Sequence, residues 1–133
     1  MNLPQNYKYT KEHEWILVES EEGAISTIKV GITEFAQSEL GDLVFVDLPK
    51  VGANLEKGKA FCVVESTKAA SDVYAPVAGT VSEVNSELSN SPDLVNQSPY
   101  EKGWLAIIKD VKAEDLSELM SAEQYQSYLS TGH

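Results

Sequence analysis

Cysteine is nearly missing from this chain. Cys62 stands alone among 133 residues, so no intramolecular disulfide can form. It lies in the apolar run 60–64, where a thiol behaves as a small hydrophobe. No histidine or basic cluster sits near it in sequence to lower its pKa, so it reads as structural. Histidine is almost as scarce, with only His13 and the terminal His133. No Cys/His pattern has zinc spacing, and His13 between Glu12 and Glu14 is too sparse for a metal site. Neither a Gly-x-Ser-x-Gly elbow nor a Gly-rich phosphate loop after a strand is present. No apolar stretch approaches the length of a membrane span. The opening Met-Asn-Leu-Pro-Gln-Asn lacks the apolar core of a signal peptide and the Arg-rich pattern of an organelle presequence. A bacterial-type cytoplasmic protein fits, although a processed organellar form would look the same. Without a secretion signal, the glycosylation triplet Asn96-Gln97-Ser98 carries no weight. Positive charge is also short: 10 basic residues face 21 acidic ones, for a net charge of −11. That argues against nonspecific binding to nucleic acid or to an anionic membrane. It suits a soluble protein that docks on basic patches of partners, and equally one whose acidity keeps it in solution. The carboxylates are scattered as a solvated surface scatters them, and nothing here supports an autonomous catalyst.

What remains is a well-punctuated β pattern. Hydrophobic residues make up 42% of the chain, enough for a packed interior in a single domain over residues 1–133. Residues 15–18 and 25–30 read as strands joined by the turn Glu21-Glu22-Gly23. Thr33 caps a short helix over 34–40, which Gly41 ends. The run 43–48 is almost wholly apolar, as expected of a strand covered on both sides, and Pro49 stops it. Turns at Val51-Gly52 and Lys57-Gly58 precede a strand over 60–65, with further strands at 73–77, 80–84 and 104–108. Ser91-Pro92 reads as a helix start, with the serine as cap and a single turn through Val95. A helical segment over 113–129 divides in two, restarted by a capping box of Ser121 with Gln124. The expected fold is mainly β, a flattened barrel or sandwich of two antiparallel sheets with short helices, including the C-terminal one.

Between two of these strands lies Glu65-Ser66-Thr67-Lys68-Ala69-Ala70-Ser71-Asp72. Ser66, Thr67, Ser71 and Asp72 are turn-formers, so the pattern offers one primary amine at the tip of a tight hairpin. A lysine at a hairpin tip is ordinarily a solvated charge. Here small Ala69, Ala70 and Ser71 leave room for an approaching enzyme, and Gly58 and Gly79 lie on either side. A rigid turn fixes the root of a covalent arm while leaving its tip free.

This layout resembles the biotinyl/lipoyl carrier fold. Biotin carriers usually place methionine on both sides of the modified lysine, whereas Thr67 and Ala69 look like lipoyl attachment. The string ESTKAASDVYAPVAGTVSEVN at 65–85 is similar to the H-protein family of the glycine cleavage system. So are His13-Glu14-Trp15, GITEFAQSELGDLVFVDLP at 31–49 and LVNQSPYEKGW at 94–104, in the family's order from about Tyr7 to about Leu129. The resemblance implies a pseudo-twofold pair of sheets with Lys68 on the exposed turn, and lipoate joined to Lys68. It implies a non-catalytic carrier that takes an aminomethyl group from a pyridoxal-phosphate glycine decarboxylase (P protein) to a tetrahydrofolate-dependent aminomethyltransferase (T protein). Dihydrolipoyl dehydrogenase (L protein) would then reoxidise the arm, with NAD as last acceptor. Glu65 and Gly79 match positions the family uses for recognition by the lipoate-attaching enzyme; a positive φ in the turn after Pro76 would also explain Gly79. Glu14 and Asp72 match carboxylates that meet the amine of the loaded arm, or are ordinary surface acids. The family often has a small hydroxyl residue before the histidine, and Glu12 there counts against its taking part. Trp15, Tyr100 and Trp104 are expected as core or cleft-wall aromatics. A lipoyl or octanoyl relay in cofactor assembly would need the same hairpin, and the sequence separates the two roles poorly.

Overall fold

The strand-forming runs assemble into two antiparallel sheets in the computed structural model, which describes residues 3–131. In chain order the strands are β1 (Lys8–Tyr9), β2 (Glu14–Glu22), β3 (Ile25–Ile32), β4 (Leu43–Asp47), β5 (Asn54–Leu55), β6 (Ala60–Ser66), β7 (Ala70–Tyr74), β8 (Gly79–Val84) and β9 (Ala106–Lys112). One sheet has the order β1-β2-β3-β9-β8-β5 and the other β4-β6-β7. Both contribute to one apolar core, with Ile16, Ile28, Val30 and Ile108 from the first and Leu43, Val46, Val64 and Val73 from the second. The result is the sandwich form of the expected fold, not a closed barrel.

Four short helices accompany the sheets among the described residues: α1 (Glu34–Leu40), α2 (Leu94–Gln97), α3 (Ala113–Leu116) and α4 (Ala122–Ser130), with a 3-10 turn at Ser86–Ser89. Thr33 caps α1 by accepting from the Ala36 N–H at 3.2 Å, and Gly41 closes it at φ 82°. The capping box at Ser121 and Gln124 forms as its residues predict, at 3.1 and 2.9 Å. The α4 helix is held by a second cluster built from Tyr9, Trp15, Tyr100, Ala122 and Tyr125. Tyr9 and Tyr125 stack at 4.9 Å with an interplanar angle of 5°.

Several element boundaries differ from expectation, for identifiable reasons. The β2–β3 strands run on to Glu22 and restart at Ile25, so the turn is Gly23-Ala24, with Gly23 at φ 64°. The β4 strand is not covered on both sides: Val44 and Phe45 are 55% and 48% exposed. Leu43 pairs with Ser66 and Phe45 with Glu65, so Val44 is an extra residue and both side chains turn outward. Ser91 does not cap α2, which begins at Leu94 after Asp93; Ser91 and Pro92 form the turn before it. The strand expected over 73–77 is displaced to Ala70–Tyr74, and that over 104–108 to Ala106–Lys112. Ahead of β9 the Asn85 side-chain amide donates to the carbonyls of Lys102 and Trp104 at 2.7 and 2.9 Å, which takes the Trp104 carbonyl out of the strand ladder. His133 lies outside the described residues.

Candidate functional site

The β6–β7 hairpin presents Lys68 as its residues predict, and Ser66 is what fixes the turn. The Ser66 and Ala69 backbones close it at 2.8 Å. The Ser66 hydroxyl accepts from the Lys68 and Ala69 N–H groups, both at 3.2 Å, and lies 3.2 Å from the Ala69 carbonyl. A serine that bonds the backbone two and three residues on is a turn device. Sequence reading recognised Ser66 as a turn-former but not as this clamp. Beyond it, Thr67, Lys68, Ala69 and Ala70 are all exposed. Lys68 forms no salt bridge among the described residues.

The lysine lies over Gly41 at the end of α1. A methyl group on Gly41 would stand 3.4 Å from Lys68 Cε and 3.7 Å from Nζ. That platform is tied down from α2. Asn96 accepts from the Leu43 N–H at 2.9 Å and donates to the Gly41 carbonyl and the Gln37 side chain, both at 2.9 Å. The Gly41 carbonyl, just past the helix end, and the Leu43 N–H at the start of β4 have no intrahelical partner, and Asn96 satisfies both. Sequence reading missed both Gly41 and Asn96 as neighbours of the site; they come together only through contacts more than fifty residues apart in the chain.

Glu14 is not an ordinary surface acid. It begins β2, is 3% exposed, and its carboxylate accepts from the Thr10 hydroxyl at 2.6 Å. The backbone N–H of Tyr74 donates to it as well. Burial pushes the carboxyl up from 4.5 to about 7; the two hydrogen bonds oppose the rise and the Glu12 charge adds to it. Asp72 is exposed on β7. Glu14 thus touches the strand that carries Asp72, two residues further along, at the foot of the lysine hairpin.

Glu65 is half-buried on β6, cross-strand from Phe45 and Ala70. Gly79 opens β8 and does not adopt positive φ, contrary to the turn-based explanation. A side chain there would meet Ile108 Cγ2 at 2.5 Å and the Lys109 carbonyl oxygen at 2.8 Å, so close packing on β9 requires the glycine. Trp15 and Tyr100 are buried in the aromatic cluster and Trp104 is half-buried, with Lys29 Nζ 5.3 Å from its ring. Cys62 is buried, and burial pushes its thiol up to about 12, as fits a structural cysteine. Among the described residues no group of three His, Cys, Asp or Glu could hold a metal ion, and no helix is long and apolar enough to cross a membrane.

Chemically, the hairpin suits a group in amide linkage. Its lysine is exposed and without an ion pair among the described residues, its neighbours Ala69 and Ala70 are small, and its root is clamped.

Comparison with known proteins agrees with this geometry. A family model described as glycine cleavage H-protein matches residues 7–132. The glycine cleavage system H protein of Geobacillus kaustophilus (strain HTA426) is 47% identical over 132 residues, covering 99% of this chain and all of that one. That of Bacillus subtilis (strain 168) is 49% identical over 126 residues, 95% of each chain. The crystal structure of a glycine cleavage system H protein from Mycobacterium marinum superposes with a TM-score of 0.85 at 36% identity, covering 96% of this chain and 99% of that one. Sequence, fold and hairpin converge: this chain belongs to the glycine cleavage H-protein family.

Proposed function

We propose that the protein is the lipoyl carrier of the glycine cleavage system, with lipoate held in amide linkage on Lys68. The observation that carries this reading is the exposed amine on a serine-clamped turn, in a chain that matches the family along nearly its whole length. When bound, lipoate supplies a dithiolane disulfide that can accept two electrons and a carbon unit, chemistry no side chain of this protein offers. Attachment joins Lys68 Nζ to the lipoyl carboxyl carbon as the bond from that carbon to its activating group breaks, and the amine proton passes to solvent.

The chain's own part is positional. Ser66 holds the root of the arm, and tethering replaces a freely diffusing cofactor by a high effective concentration at each docked enzyme. We assign the aminomethyl cargo a route from a pyridoxal-phosphate glycine decarboxylase to a tetrahydrofolate-dependent aminomethyltransferase, followed by reoxidation at dihydrolipoyl dehydrogenase. The protein acts in this cycle as a carrier and not as a catalyst. Glu65 and Gly79 serve recognition by the lipoate-attaching enzyme; Gly79 also has the packing reason given above. Asp72 and Glu14 are the carboxylates that meet the cationic amine of the cargo. Asp72 does so from the surface, and Glu14 from a buried position where a nearby cation would favour its ionised form.

Intact-mass analysis and peptide mapping of protein from its native host test the reading. The expected result is a lipoyl increment on Lys68 alone. A biotin increment, or lipoate on another lysine, would overturn it. Reconstituted glycine cleavage should stop with Lys68→Ala, and continued turnover would refute the carrier role.

A further inference from the structure

Two large apolar side chains, Val44 and Phe45, stand exposed side by side on β4, an edge strand of the smaller sheet. Their exposure is built into the fold: the bulge between Leu43 and Phe45 rotates both outward, where plain alternation would have hidden one. An exposed edge carrying adjacent hydrophobes is a liability that soluble proteins ordinarily blunt with charge or proline.

The surroundings of this pair are acidic. On the outward face of the smaller sheet, Phe45, Glu65 and Ala70 form one cross-strand row, and Asp47, Val63 and Asp72 form the next. None of these residues is basic. The apolar pair therefore borders a face with three carboxylates, in a chain of net charge −11. The face is continuous with the lysine hairpin. Phe45 pairs with Glu65, three residues before Lys68, and Leu43 pairs with Ser66, whose hydroxyl clamps the turn.

From this placement we infer that Val44 and Phe45, with the carboxylate face beside them, form the docking surface for the enzyme that acylates Lys68. The inference rests on the assignment of Lys68 as the attachment site. Enzymes that act on the free end of the arm work an arm's length from the lysine and have no need to grip its root. The acylating enzyme must bring an activated carboxyl within bonding distance of Nζ, so its contact surface has to lie against the hairpin base. The partner that fits presents an apolar pocket rimmed by lysine or arginine. The pocket covers Val44 and Phe45, and the rim meets Asp47, Glu65 and Asp72.

Unmodified full-length protein should be titrated as acceptor against a bacterial lipoate–protein ligase with lipoate and ATP, with product confirmed by mass on Lys68. Val44→Thr with Phe45→Thr places strand-forming β-branched side chains at both positions and removes the apolar surface. The expected result is a roughly tenfold rise in KM for the acceptor with kcat within about twofold. Val51→Thr, at a 63% exposed residue in the turn after β4, should leave both constants unchanged. Asp47→Lys should also raise KM, and the wild-type KM should rise with salt. An unchanged KM in the double variant overturns the inference. So does a KM defect confined to the glycine cleavage enzymes, or a concentration-dependent dimer in sedimentation that the double variant abolishes. Failure of the wild-type protein to be acylated on Lys68 overturns the reading of the lysine itself, and this inference with it.

Discussion

Glu14 should make the stability of this protein depend on pH in a direction opposite to that of a salt-bridged acid. The side chain is 3% exposed, and burial raises its carboxyl from 4.5 to about 7. Between those values the native state keeps a proton that the unfolded chain has lost, so the native state binds more protons. Stability therefore falls as pH climbs through that window, and the loss persists above it. The interval is 7 − 4.5, or about 2.5 pH units; at 1.36 kcal/mol per unit the full effect is on the order of 3 kcal/mol. Other acids add their own pH dependence, so the clean comparison is with Glu14→Gln, which mimics the neutral form in size and hydrogen bonding. Urea unfolding of both proteins at pH 5 and pH 8 measures it. Part of the window is already traversed at pH 5, so the stability of Glu14→Gln relative to wild type should improve by about 2–3 kcal/mol at pH 8. A relative stability that is the same at both pH values would show that the carboxyl is not raised, and that water reaches it despite its burial.

The other expectations concern the hairpin and what supports it. Lys68→Ala should change unfolding free energy by no more than about 0.5 kcal/mol, since the residue is exposed, while abolishing carrier activity; a large fall in melting temperature would make Lys68 a structural residue. Gly79→Ala should cost about 1–3 kcal/mol in urea unfolding, because its Cβ would press on Ile108 and the Lys109 carbonyl; a neutral result would mean that the β8–β9 contact relaxes freely. Asn96→Ala should cost about 1–3 kcal/mol by leaving the Leu43 N–H and Gly41 carbonyl without this partner; hydrogen exchange at Leu43 should accelerate with it. Glu14→Gln with Asp72→Asn, lipoylated to completion at saturating ligase, should hasten spontaneous loss of formaldehyde and ammonia from the loaded carrier. An unchanged release rate would remove both residues from that role.

What was legible in the sequence follows the range of the interactions involved. The lysine turn could be read because its determinants are adjacent: strand-forming residues on both sides, and Ser66 and Thr67 before the amine. The α4 capping box was legible for the same reason, since Ser121 and Gln124 are three residues apart. The β4 strand was misread because a bulge is a property of two strands in register. Nothing in Leu-Val-Phe-Val announces that Val44 will oppose no residue on β6. The burial of Glu14 is hidden in the sequence. At the start of β2 both faces are covered, Trp15 entering the aromatic cluster and Ile16 the main core, so alternation no longer separates inside from outside.

Asn96 shows the same limit at the site itself. As a letter it belongs equally to a glycosylation triplet and to a loop, and neither reading uses its side chain. In the fold its single amide joins three groups from the end of α1 and the start of β4, 53 to 59 residues earlier in the chain. One of them, Gly41, lies beneath the Lys68 side chain. The lysine proposed to carry the arm is exposed and set by its neighbours in sequence, whereas the residues around its base are set by tertiary contacts. A side chain whose task is to satisfy distant backbone groups has no local pattern to betray it. Such residues are found by asking where each backbone group at a helix end finds its partner, and here that question leads from Gly41 to Asn96.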